Sequence, residues 1–353
     1  MNRGHTGSSE TRIGSARICT PIKNKMKKSM LDGLKKLLAF LTLALGLATA
    51  AVGQDQHRPP AWAYPQAVAD YRPPVDDGRV RHVANSGAGW TLTQLRDLFF
   101  APDWHPEEHP QMPQVVSHGR KPDVYACGFC HRADGAGGPE NASLAGLPEG
   151  YITQQMADFK SGARRSSLPE RLPSKLMTAI AKAATGEDVA NSAAYFSSVK
   201  PRKLITVIES SEVPKTYIAG WFFTPVNEQE KEPIAGRIIE MPKDVEQFES
   251  RDTHSEFIAY VPVGSIAKGE ALAITGGDGK TIPCGKCHAP DLRGLGVVPS
   301  IRGRSPSYLV RQLYDMQHGA RAGMGGGLMT GVVAKLSEED FVSLAAYAAT
   351  LKP

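Results

Sequence analysis

The chain has 353 residues, with 35 glycines, 26 prolines and 7% aromatic side chains. That length holds two domains and part of a third, and the thin aromatic content suits small domains folded around a large apolar cofactor. Of the formal net charge of +5, residues 1–53 hold nine Lys/Arg and two Asp/Glu; the 32 basic and 34 acidic groups beyond them net −2, which argues against a nucleic-acid-binding protein.

The chain opens on a basic region, Lys23, Lys25, Lys27, Lys28, Lys35 and Lys36. An apolar run from Leu37 to Leu47 follows, interrupted only by Thr42 and Gly46, and then the small-x-small triplet Ala48-Thr49-Ala50. That order predicts a secretory signal peptide over residues 1–53, with Met26 or Met30 as alternative starts. The run is short for a membrane span; left uncleaved, it would serve as a membrane anchor. Residues 54–115 form a Pro-, His- and Trp-rich extension with a predicted helix from Thr93 to Phe100. His105, His109, Met112 and His118 gather in sequence ahead of the first cysteine pair. They could ligate a metal or replace an iron ligand, although histidines in a Pro-rich loop are more often simply solvated.

Cys127-Gly128-Phe129-Cys130-His131 recurs as Cys284-Gly285-Lys286-Cys287-His288. Cys-x-x-Cys-His is the attachment signature of c-type haem. Two vinyl groups of one porphyrin need two thiols about a helical turn apart, and the adjoining imidazole reaches the iron. The only other cysteine is Cys19, inside the expected signal, so no thiol is left for a disulfide. Disulfides or zinc at the four thiols would leave both adjoining histidines without a purpose.

The motifs belong to a longer repeat. Leu144-Ala145-Gly146, Tyr151, Gln155, Gly162 and Arg164 recur as Ile301-Arg302-Gly303, Tyr308, Gln312, Gly319 and Arg321, each 157 residues on. Leu176-Met177-Thr178 recurs as Leu328-Met329-Thr330 at an offset of 152, which also relates Asp188 to Asp340 and Tyr195 to Tyr347. Each copy predicts a short motif helix, a helix near Tyr151 or Tyr308, a loop that brings in a methionine, and a closing helix. Thr185 with Asp188, and Ser337 with Asp340, read as caps of the closing helices. Val189, Ala193 and Phe196, and Phe341, Leu344, Ala345 and Ala348, read as their core faces. Between the copies, Leu204 to Ile208 and Phe257 to Val261 are β-like runs separated by turn-forming residues.

His131 and His288 are the expected proximal iron ligands. Met177, 46 residues after its histidine, and Met329, 41 after its own, occupy equivalent repeat positions and are the expected sixth ligands. A lone methionine is usually core filler, but equivalent placement twice argues for ligation. Met324, whose counterpart is Ser167, ranks second; Met156 and Met316 read as packing residues within helices.

By these motifs the chain resembles the tandem di-haem class I cytochromes c. The resemblance rests on Cys-x-x-Cys-His, Tyr-x-x-x-Gln, Gly-x-Arg, a methionine and a final helix ending in Ala-Ala-Tyr in both copies, and it covers roughly 116–198 and 264–353. It implies a mainly α fold with cytochrome c domains at 116–198 and 264–353; the family's linker is short, and the residues at 199–263 read instead as a small β-rich connector. It implies covalent haem at Cys127, Cys130, Cys284 and Cys287. It also implies that Pro299 offers its carbonyl to the axial histidine, where the first copy has Ala142, and that Tyr195 and Tyr347 pack against the motif helices. The function to be expected is periplasmic one-electron transfer. Its partners would be a dehydrogenase, a quinol-oxidising complex or a terminal oxidase. A di-haem peroxidase, or a cytochrome subunit of a dehydrogenase complex, is the alternative.

Overall fold

The computed structural model describes residues 58–353 apart from Asp70 and Glu228, so the expected signal peptide lies outside the described residues. Among these residues no helix is long and apolar enough to cross a membrane. The first half of the repeat supplies helices α3 (Cys127–His131), α4 (Glu149–Ser161), α5 (Leu172–Ala183) and α6 (Gly186–Ser198). Ahead of them lie the short turns α1 (Leu92–Leu95) and α2 (Gln114–Ser117). The helix expected from Thr93 to Phe100 is thus a single turn. Its capping box at Thr91 starts it correctly, but the Asp97 carboxylate accepts from the Phe99 N–H and folds the chain into a turn instead.

The intervening stretch contains strands β1 (Ile205–Glu209), β2 (Glu212–Pro214), β3 (Thr216–Ala219), β4 (Phe222–Pro225), β5 (Lys231–Pro233) and β6 (Ile239–Pro242). Helix α7 (Val245–Glu249) and strand β7 (Phe257–Val261) follow. The two β-like runs of the sequence are neighbours, β1 lying parallel to β7 with Ile205 opposite Phe257. Strand β6 pairs antiparallel on the other side of β7, and β3–β4 and β2–β5 are small antiparallel pairs. These strands are not a free-standing layer: Ile238 and Val261 are buried in one core with Val310, Phe341 and Ala345 of the second half.

That half repeats the plan in α9 (Gly285–His288), α10 (Pro306–Gln317), α11 (Met324–Val333) and α12 (Glu338–Thr350), preceded by α8 (Ser265–Thr275). The closing helices α6 and α12 begin with full capping boxes at Thr185/Asp188 and Ser337/Asp340. Their apolar stripes face inward, with Ala193, Phe196, Phe341 and Ala345 all 1% exposed. Helix α8 lies so close against α12 that a β-carbon built on Gly269 would stand 1.9 Å from the Ser343 carbonyl oxygen. Only glycine permits that approach.

Asp340 fixes this pair of helices electrostatically. Its side chain is fully buried, 3.2 Å from Lys268 Nζ and in contact with Lys280 Nζ. It also accepts from the Ser337 N–H at 2.8 Å. Burial works against the ionised form, but the ammonium groups and the cap outweigh it and hold the carboxyl near 2, against an ordinary 3.8. A folded-state value below the unfolded one adds stability that is present above pH ~4 and disappears as pH falls through 2. The shift corresponds to about 2 kcal/mol. Asp340→Asn should therefore lower the stability of the protein at pH 7 by about that amount and flatten its loss of stability between pH ~4 and ~2, as read by denaturant titrations across that range.

Candidate haem sites

The first motif occupies the short helix α3, and the second has Cys284 as the N-cap of α9; the adjoining histidine of each is turned into the protein. His131 Nδ1 lies 2.8 Å from the Ala142 carbonyl oxygen, and His288 Nδ1 lies 2.8 Å from that of Pro299. The first half thus supplies the same carbonyl without the proline, because the contact uses backbone. In both, the hydrogen bond fixes the ring and leaves Nε2 as the free nitrogen. Burial lowers the pKa of both imidazoles, with a smaller push from Arg164 on His131 and Arg321 on His288. The neutral ring is the form that ligates a metal.

The surroundings of Cys127 and Cys284 suit an uncharged sulfur. Burial, reinforced by neighbouring Cys130, pushes Cys127 up to about 12; burial pushes Cys284 up to about 11. Thiolates are costly here, whereas a thioether carries no charge. Beyond α3, Tyr195 donates to the Ala133 carbonyl at 2.7 Å and ties α6 to the end of the motif helix. Tyr347 packs into the second core beside Cys284.

The methionines are placed differently from the loop expectation. Met177 lies within α5 and Met329 within α11, both partly buried. Leu172 to Ala183 has Pro173 in the first turn and is otherwise rich in Ala, Leu and Lys, so the segment folds as helix. Met329 packs against the second core. Met324 opens α11 and is 76% exposed. Met316 is buried within α10 and Met156 is packed within α4, as read from the sequence.

The histidines ahead of the first motif do not converge. His105 is buried against Asp252, Nε2 to Oδ1 3.0 Å. His109 bonds Asp103 and the Tyr195 hydroxyl, and His118 contacts Ser117 Oγ. Met112 packs beside Cys127 and Cys130.

Sequence reading passed over the junction between the halves. The segments at Arg164 and Arg321 pair antiparallel. Arg164 donates to Gln155 Oε1 at 2.8 Å within its own half, and across the junction to the Tyr308 hydroxyl at 2.9 Å and Gln312 Oε1 at 3.0 Å. Arg321 mirrors it, reaching Gln312 Oε1 at 3.1 Å, the Tyr151 hydroxyl at 2.8 Å and Gln155 Oε1 at 2.9 Å. The Tyr-x-x-x-Gln and Gly-x-Arg elements of the repeat are thus one two-fold clamp. Arg304, also buried, donates across the junction to Ser143 and to the Ala145 carbonyl. Among the described residues no carboxylate lies within ion-pair distance of Arg164, Arg304 or Arg321, and Nε of Arg304 and of Arg321 has no partner. Burial alone drives Arg304 down to about 10. A guanidinium does not shed its proton in a protein; buried cations of this kind are matched by an anion. A haem brings two carboxylates on the edge away from its vinyl groups, so the donor set fits two such groups: paired thiols, a neutral imidazole held by a carbonyl, and buried arginines without anions.

The fold and sites define a c-type cytochrome with two attachment sites. No family model matches the chain. It is 27% identical over 231 residues to cytochrome c4 of Stutzerimonas stutzeri, covering 64% of this chain and 83% of that protein. It is 26% identical over 232 residues to the thiosulfate dehydrogenase electron acceptor of Thiomonas intermedia, covering 65% and 79%. Over 80 residues it is 36% identical to cytochrome c-554(548) of Halomonas halodenitrificans, covering 22% of this chain and 93% of that protein. The chain belongs to the tandem di-haem class I cytochromes c, carries two covalently bound haems, and functions in electron transfer.

Proposed function

We propose that the protein passes single electrons between an exported dehydrogenase and a later acceptor in the periplasm, each iron being held by one histidine and one methionine. The observation that carries this reading is the duplicated constellation of paired thiols, imidazole and backbone carbonyl. His131 with Met177, and His288 with Met329, are the assigned ligand pairs, in haem domains at 116–198 and 264–353. Each haem supplies a one-electron couple. The chain's own residues hold its ligands fixed so that oxidation and reduction need little rearrangement, and they set the potential through ligand, burial and charge. Arg164 and Arg321 would hold the porphyrin carboxylates at the junction. The dehydrogenase partner is supported by a relative named as the electron acceptor of thiosulfate dehydrogenase. A peroxidase needs one vacant distal face, whereas both repeats here present a methionine at the same position.

The test is a preparation matured in a host that attaches haem. Two irons per chain, colour retained through denaturing extraction, and a low-spin reduced spectrum are expected. A colourless polypeptide from such a host overturns the reading.

A further inference from the structure

The two motif helices are alike in sequence but not in surroundings. Helix α3 is walled in by segments outside the repeat. The Arg251 guanidinium lies 3.6 Å over the centre of the Phe129 ring, donates to the Phe129 carbonyl at 2.8 Å and is tied to the Leu95 carbonyl at 3.1 Å. Arg132 reaches the Phe248 carbonyl at 3.1 Å and lies over the Phe248 ring. A β-carbon on Gly128 would stand 2.8 Å from Ala101 Cβ. The Trp104 indole, bonded to the Ser250 carbonyl at 2.8 Å, locks the two covering segments together. Phe129 is 6% exposed as a result.

Helix α9 has no such wall. Lys286 stands where the first motif has Phe129, and both it and Cys287 are exposed. Ile282, just ahead of the motif, is 47% exposed, and Leu295 and Val297, just after it, are 68% exposed. The residue choices agree with the packing: an aromatic ring where the helix is covered, an ammonium where it meets water.

A porphyrin's thioether links lie along one edge, so whatever covers the motif helix covers that edge. Resting on the reading that each motif holds a haem, we infer that electrons enter and leave this protein at the second haem, and that the first is an enclosed store reached through it. A one-electron donor reduces the second iron from ferric to ferrous. That electron passes to the first iron, leaving the second ferric and ready for another, and the acceptor reverses the sequence. The partner then needs a redox edge that can sit over Lys286 and Cys287.

Two measurements on the full di-haem protein test this. In the reduced protein, a soluble neutral gadolinium chelate should broaden the proton resonances of the second haem's thioether bridges and spare those of the first; broadening of the first as great as the second overturns the inference. In rapid-freeze electron paramagnetic resonance with dithionite, an anionic reductant, Lys286→Glu should slow the second haem roughly three-fold or more at low ionic strength, because reversing a charge at the point of encounter repels the reagent. The first haem should slow with it, or reduce at a rate independent of dithionite concentration. A first-haem rate that scales with dithionite and is unchanged by Lys286→Glu overturns the inference. Lys286→Gln, with a smaller effect of the same sign, stands in should the reversal impair maturation. Absence of haem resonances altogether would instead sink the reading of the sites.

Discussion

Met329→Ala is expected to turn the second haem from low spin to high spin and to lower its potential, leaving the first haem unchanged; Met177→Ala does the reverse. The thioether sulfur is a soft ligand that favours ferrous iron. Alanine cannot reach the metal, so water or nothing takes the sixth position. For a one-electron couple each tenfold loss in the preference for ferrous iron lowers the potential by about 59 mV, and a fall of roughly 100 mV or more is expected. The partial burial of both methionines in α5 and α11 keeps the vacated position small. Carbon monoxide should then bind the altered haem and only that one. Visible spectra, paramagnetic resonance and a redox titration of each variant decide it. Two haems that remain thioether-ligated after both replacements would refute the ligand assignment and turn attention to Met324.

Arg164→Gln and Arg321→Gln should lower both potentials. Each guanidinium is buried and bonded into both halves of the molecule, so its charge acts on both irons. Taking a separation of about 10 Å and an effective dielectric of about 20, one unit charge is worth about 1.7 kcal/mol, or roughly 70 mV. Removing a positive charge favours the ferric state, hence the downward sign. Added salt should alter the effect little, because buried charges are poorly screened. Arg164→Lys and Arg321→Lys, which keep the charge but lose the forked bonding to the Tyr and Gln partners, should move the potentials far less, which separates the effect of charge from loosening of the junction. If redox titration of the double variant finds both potentials unmoved, the clamp does not face the haem carboxylates.

Much of the site was legible because its chemistry is local. A thiol pair and an imidazole within five residues must share a helical turn, and α3 and α9 place them so. The caps at Thr185 and Ser337 were legible for the same reason, since a capping box closes over four residues. The methionine segments were misread as loops: Ser, Pro and Arg ahead of Met177, and the glycine run ahead of Met329, mask the helix propensity of the residues that carry each methionine. The predicted helix after Thr93 failed because one carboxylate, Asp97, competed for a backbone N–H. Propensity sums do not register such a contest.

By itself the sequence determined the number of haem attachments, the imidazole beside each thiol pair, the repeat and the closing helices, each fixed by contacts over a few residues or by duplication. Tertiary structure alone decided the rest. Arg164 and Arg321 are 157 residues apart and meet only because the halves fold face to face. Arg251 finds Phe129 across 122 residues. Ala142 can replace Pro299 because the histidine asks for a carbonyl, which every residue has, in a position that only the folded loop provides.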